Sequence, residues 1–180
     1  MELKGSKTEK NLETAFNRES QVRNKYTYFA EVAEEEGLNR IARVFRETAN
    51  NEKVHAQKEL EFLKMISDTE ANLKVAAGGE HEEWTKMYPE FERIAREEGF
   101  NDIADFFKRI NKIEEQHEKR YLELLKDIQE SSVYKKDHAV TWKCTSCGWF
   151  TEELEAPVEC PTCKVPKSQF HLGTEVFTIH

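Results

Sequence analysis

The chain has no cysteine before Cys144, and all four fall between Cys144 and Cys163. Nothing is left for a disulfide framework elsewhere. The sequence also lacks any apolar run near the roughly 20 residues that cross a bilayer, and Met1-Glu2-Leu3-Lys4 begins no signal peptide. Positive charge is in deficit: 27 Lys and Arg stand against 35 Asp and Glu, a net charge of −8. That balance argues against nucleic acid or an anionic membrane as partner. The expectation is a cytoplasmic protein whose 180 residues hold one good core, or one core and a small stapled module.

What is present is helical periodicity, carrying ionisable groups where apolar ones belong. Ser6-Lys7-Thr8-Glu9 reads as a capping box opening a helix to about Glu36, with the stripe Leu12, Ala15, Glu19, Val22, Tyr26, Phe29, Ala33. After Gly37 a second helix is expected from about Asn39 to Ile66, with Ile41, Phe45, Thr48, Glu52, His55, Phe62 and Ile66 facing the core. Ser67-Asp68-Thr69-Glu70 opens a third helix, with the stripe Leu73, Ala76, Glu80, Glu83, Met87, Phe91, Ile94. After Gly99 a fourth runs from about Asn101 to Glu130, with Ile103, Phe107, Ile110, Glu114, His117, Tyr121, Leu124 and Ile128.

The four helices form a repeat. A shift of 62 residues lays Tyr26 on Tyr88, Phe29 on Phe91, Ala33 on Ala95, Gly37 on Gly99, Phe45 on Phe107, Glu52 on Glu114 and His55 on His117. Two duplicated hairpins predict a pseudo-twofold four-helix bundle over 1–132. Glu19 lands on His81, one residue from Glu80, so a local slip is expected in the third helix near Gly78-Gly79, as a π-bulge would produce.

Glu-x-x-His occurs twice, as Glu52/His55 and Glu114/His117; positions i and i+3 share a helix face. With Glu19, Glu80 and Glu83 this makes five carboxylates and two imidazoles on apolar stripes. Buried charge is costly unless paired or bound to metal, and an oxygen-rich set with two imidazoles suits two iron or manganese ions. The surplus negative charge favours a more oxidised pair, as in a site built for redox change. Tyr26 and Tyr88 lie on the same faces, either as plain core aromatics or as hydroxyls bonding ligand carboxylates. His81 is expected at the surface, and His138, His171 and His180 follow no pattern.

Residues 133–139 read as a polar linker. Beyond it, 140–180 is too short to fold on apolar burial alone. Cys144-Thr145-Ser146-Cys147 and Cys160-Pro161-Thr162-Cys163 are two C-x-x-C knuckles that supply four thiolates to one tetrahedral ion. Gly148 permits the tight turn that aims N–H groups at sulfur. Iron and zinc both suit this spacing. Trp142, Trp149, Phe150 and Phe170 either shield a redox ion or form the small core.

Several motifs together resemble the rubrerythrin family: Glu19-Ser20-Gln21, Glu52-x-x-His55, Gly79-Glu80-His81-Glu82-Glu83, Met87-Tyr88-Pro89, Glu114-x-x-His117-Glu118-Lys119-Arg120 and both knuckles. The resemblance spans nearly the whole chain. It implies a mainly α fold, a ferritin-like di-iron four-helix bundle followed by a small rubredoxin-like β/knuckle domain. It implies two Fe ions in the carboxylate site and one Fe on Cys144, Cys147, Cys160 and Cys163. The implied activity is an NAD(P)H-linked peroxidase that reduces hydrogen peroxide to water in oxidative stress defence. The implied electron donor is a rubredoxin or an NAD(P)H-dependent reductase. In the family an iron shifts between a histidine and a glutamate, matched here by His55 and Glu83. Lys164 departs from the glycine that free-standing rubredoxins carry after the second knuckle, and the gap between knuckles is short.

The helix rise puts the tail roughly 20 Å from its own carboxylate site, so a head-to-tail homodimer with electron transfer between subunits is expected. Two other functions compete: a ferroxidase or iron-storage bundle, and a non-enzymatic interaction module with zinc in the tail.

Overall fold

The computed structural model describes residues 2–174. Met1, the end of the expected 140–180 domain and His180 lie outside the described residues. The chain divides into two compact units that part between Asp68 and Thr69. The expected class holds: a mostly helical chain is followed by a small three-stranded sheet. Among the described residues no helix is long and apolar enough to cross a membrane.

The first unit is an antiparallel hairpin of α1 (Lys7–Glu35) and α2 (Asn39–Phe62). Ser6 caps α1 as expected, its hydroxyl accepting the Glu9 N–H at 3.1 Å, while the Glu9 carboxylate accepts the Gly5 N–H at 2.5 Å. The hairpin turns at Gly37, whose φ of 76° lets Leu38 N–H reach back to Ala33 O at 2.7 Å. α2 stops short of the expected Ile66. Lys64 takes a left-handed φ of 56° and Met65 N–H bonds Leu60 O at 3.0 Å, an end made without glycine.

The second unit repeats the plan in α3 (Thr69–Glu82), α4 (Tyr88–Glu97) and α5 (Asn101–Gln129). Its turn at Gly99 has φ 86°, with Phe100 N–H on Ala95 O at 2.8 Å. A π-turn, Glu83–Met87, joins α3 to α4. The expected slip therefore exists, and it lies beyond Gly78-Gly79, just after the Glu80 it displaces. Seven residues separate Glu19 from Tyr26 but eight separate Glu80 from Tyr88, and the π-turn absorbs the extra one.

What each hairpin buries is almost all alanine: Val22, Ala30, Ala33, Ala42, Ala49 and Ala56 in the first, Ala77, Ala95 and Ala104 in the second. The stripes expected in the core flank these seams and stay partly open, with Phe29, Ile41 and Ile103 each 47% exposed and Phe91 41%. Small residues let two helices close along a line, and larger side chains on the same face are pushed to its edges. Aromatic trios repeat there. Tyr26, Phe29 and Phe45 have ring centroids 5.7–6.2 Å apart, and Tyr88, Phe91 and Phe107 5.6–6.2 Å.

The expected linker 133–139 is mostly strand. β1 (Lys135–Cys144) begins inside it and pairs antiparallel with β2 (Phe150–Glu155) and β3 (Phe170–Leu172), in the order β2-β1-β3. Its polar sequence misled because an exposed ribbon has few apolar residues to show. Lys136 instead ties the ribbon to α5 through Asp127, at 2.5 Å. The core of this module is Trp142, Cys144, Ala156, Cys160 and Phe170, with Trp149 packed edge-on against Phe170.

Candidate metal centres

Three groups of ligand atoms converge: Cys144/Cys147/Cys160/Cys163, Glu19/Glu52/His55 and Glu80/Glu114/His117, each set within 4.8 Å. In the cysteine module two knuckles face one another. Cys144 Sγ lies 3.7 Å from Cys163 Sγ, and Cys147 Sγ 3.7 Å from Cys160 Sγ. A tetrahedron with metal–sulfur bonds of about 2.3 Å has edges of about 3.8 Å, so the four thiols fit one ion.

Both knuckles close alike: Gly148 N–H bonds Cys144 O and Lys164 N–H bonds Cys160 O, each at 3.0 Å. Gly148 has φ 77°, and Lys164 adopts a left-handed φ of 63° without being glycine. Backbone N–H groups of Cys163 and Thr162 outweigh burial at Cys160 and bring its thiol down to about 7. The Trp149 N–H favours the Cys147 thiolate, but burial and the three other sulfurs push that thiol up to about 12. Four thiols this close resist full ionisation until a cation neutralises them.

The two carboxylate triads are near copies. His55 Nδ1 is 2.9 Å from Glu52 Oε2 and 3.8 Å from Glu19 Oε2. His117 Nδ1 is 2.6 Å from Glu114 Oε2 and 3.7 Å from Glu80 Oε2. Carboxylates are the sheltered members, with Glu52 17% and Glu114 14% exposed, while the His55 ring is 60% exposed.

Each triad brings two carboxylates within hydrogen-bond reach of each other. In the first, the hydrogen bond to Glu52 and then burial raise Glu19, while that same bond and His55 keep Glu52 ionised. In the second, burial and then Glu114 raise Glu80. Two carboxylates this close repel one another when both are ionised, which marks a place where a cation fits. Oxygen atoms and one imidazole at these spacings suit iron.

Glu83 sits on the π-turn, half-buried, outside the group of three. Its charge reaches Glu80 and Tyr88. The Tyr88 hydroxyl is raised by burial and then by the charges of Glu83, Glu114 and Glu80. Tyr26 packs with Phe29 and Phe45 as a ring in the aromatic trio. His81 is exposed, as expected, yet bonded: its Nδ1 lies 3.0 Å from Glu118 Oε1, and Trp84 Nε1 donates to Glu118 Oε2. Asn111 Nδ2 donates to Trp84 O at 2.5 Å. Reading the residues alone assigns no role to Trp84, Asn111 or Glu118. A signal is there, because the shift of 62 sets them on Val22, Ala49 and Ala56, all apolar.

Comparison with known proteins agrees with these centres. A family model described as "Rubrerythrin" matches residues 10–125, and one described as "Rubrerythrin, rubredoxin-like domain" matches residues 142–171. A rubrerythrin of Porphyromonas gingivalis is 45% identical over 181 residues, covering 93% of this chain and 90% of that protein. One of Nitratidesulfovibrio vulgaris is 45% identical over 183 residues, covering 94% and 96%. Rubrerythrin-1 of Clostridium acetobutylicum is 42% identical, covering 96% and 97%. A chain matched over its helices and its cysteine module alike belongs to the rubrerythrin family.

Proposed function

We propose that the chain is a non-haem di-iron peroxidase, which reduces hydrogen peroxide with two electrons and two protons to two molecules of water. The observation that carries this is the duplicated triad: two sheltered carboxylate pairs, each with an imidazole, in a chain that also gathers four thiols. Iron bound there supplies two electrons at the carboxylate centre, and the four-cysteine iron carries one at a time.

The chain's own residues do the rest. Glu19, Glu52, Glu80, Glu114, His55 and His117 are the ligands, with Glu83 the seventh. A cation held there would relieve the repulsion within each carboxylate pair. By the family resemblance, His55 and Glu83 would be the two residues that alternate in holding an iron. Tyr88, raised by burial and then by the negative charge around it, keeps its proton and would serve as a hydrogen-bond donor to that centre.

The electron donor would be a rubredoxin or an NAD(P)H-dependent reductase in the cytoplasm, and Cys144, Cys147, Cys160 and Cys163 would hold the iron that carries its electrons. The working form is a homodimer, with transfer between subunits. Support for a dimer is the half-exposed apolar stripe of each hairpin, which needs a cover of like chemistry. Support for transfer in trans is the length of α5: twelve residues beyond His117 extend about 18 Å along the axis.

The test is a single turnover of the fully reduced protein, mixed with peroxide in one experiment and with O2 in another. Oxidation by peroxide is expected to be at least about a hundredfold faster. Faster oxidation by O2, with activity kept by a chain ending near Ser131, would establish a ferroxidase instead.

A further inference from the structure

The π-turn leaves a backbone oxygen without its helical partner. Tyr88 N–H bonds Glu83 O, five residues back. The next donor in that register would be residue 89, and it is Pro89, which has no N–H. Trp84 O is therefore denied its helical donor on a partly buried face, where an unpaired carbonyl is costly. Asn111, from α5, fills the gap at 2.5 Å. Around it, Trp84 Nε1 and His81 Nδ1 share the Glu118 carboxylate, and Thr85 Oγ1 donates to His81 O.

The first hairpin is the internal control. α1 runs without interruption through Lys7–Glu35, and the positions matching Trp84, Asn111 and Glu118 are Val22, Ala49 and Ala56, all buried. At these three positions around the turn, side chains that donate or accept hydrogen bonds stand where the first hairpin has apolar ones. That extra residue separates Glu80 from Tyr88 and places Glu83 on the turn between them.

We propose that Asn111 is a positioning residue: it supplies the hydrogen bond that the π-turn and Pro89 together withhold from Trp84 O, and so holds Glu83 beside the Glu80/Glu114/His117 triad. The role of the turn stands on the geometry alone. Its consequence for Glu83 as an iron ligand rests on the di-iron reading above.

The test has two arms, both on the full iron-loaded chain. In the first, hydrogen exchange is followed by mass spectrometry in Asn111→Leu, which keeps the branched heavy-atom skeleton and removes the donor. Peptides covering 83–88 are expected to exchange at least about tenfold faster, while those from α1 and α2 are unchanged. In a Pro89→Ala background, where residue 89 regains an N–H, the same substitution should cost less protection. Unchanged exchange in Asn111→Leu, or an equal loss in both backgrounds, overturns the proposal.

In the second arm, the visible spectrum of the oxidised carboxylate centre is compared across Asn111→Leu, Glu83→Ala and the double variant. Asn111→Leu should shift the spectrum toward that of Glu83→Ala and add nothing to it in the double variant. A loosened turn with a wild-type spectrum removes the link to Glu83. Failure of the peroxidase reading would show differently, as an unmodified protein that peroxide does not oxidise.

Discussion

The two hairpins carry the same Glu–Glu–His triad with similar imidazole–carboxylate distances, turn at equivalent glycines and pack equivalent aromatic trios. Their helical paths differ by one inserted residue. In the first hairpin the helix is regular and the seam is alanine and valine; in the second, one inserted residue makes a π-turn, brings a further carboxylate and recruits Asn111, Trp84 and Glu118. Duplication preserves a ligand set because the helical period sets it, whereas asymmetry enters cheaply through a single insertion that the neighbouring helix satisfies. A redox centre that must favour two charge states gains from such unequal halves.

If the triads are equivalent, Glu52→Ala and Glu114→Ala should each lower peroxide turnover by more than about a hundredfold and release iron, read by elemental analysis. Full turnover in either variant would make the halves unequal at the chemistry itself. Cys160→Ser separates helices from cysteine module. Steady turnover with an electron donor should fall to background, while a single turnover of chemically reduced protein survives, measured by stopped flow.

Swapping a polar residue into the regular hairpin sharpens the contrast. Ala49→Asn meets no unpaired carbonyl in α1, so it should cost about 1–3 kcal/mol in chemical unfolding, where Asn111 is stabilising. A smaller comparison lies between the two knuckles. Lys164→Gly relieves a left-handed backbone already held by glycine at 148, and should stabilise the module by about 1 kcal/mol, read as a higher melting temperature.

Smallest is the pair at the turn end of the first hairpin, where Arg46 donates to Glu34 and holds that carboxyl below its ordinary value. A lowered folded pKa gives stability that is complete above the unfolded value and lost as pH falls through the folded one. Wild type should melt slightly above Glu34→Gln at neutral pH, and the gap should close in acid. Arg96 and Asp105 place the same kind of pair at the equivalent end of the second hairpin.

Most of the site is legible in the residues themselves. Glu52/His55 and Glu114/His117 announce a shared face through their spacing, and the cysteine knuckles carry their geometry in four positions. The mismatch between Glu19 and Glu80 even marks the π-turn, though the paired glycines draw it a few residues early. Burial is where the residues mislead. Periodicity identifies an apolar face but not what covers it, so Phe29, Ile41 and Ile103 read as core when each hairpin buries mainly its alanines. The ribbon from Lys135 is hidden for the opposite reason, being exposed and polar.

Which ligands share a helix face, and which thiols share an ion, is written in the residue order alone, because helical period and knuckle spacing are local and do not depend on what packs nearby. That Asn111 meets the carbonyl of Trp84, 27 positions away, emerges only in the folded chain. The contact follows from how α5 lies against a π-turn ended by a proline, and a backbone oxygen's need for a donor is visible only once its helical partner is seen to be missing.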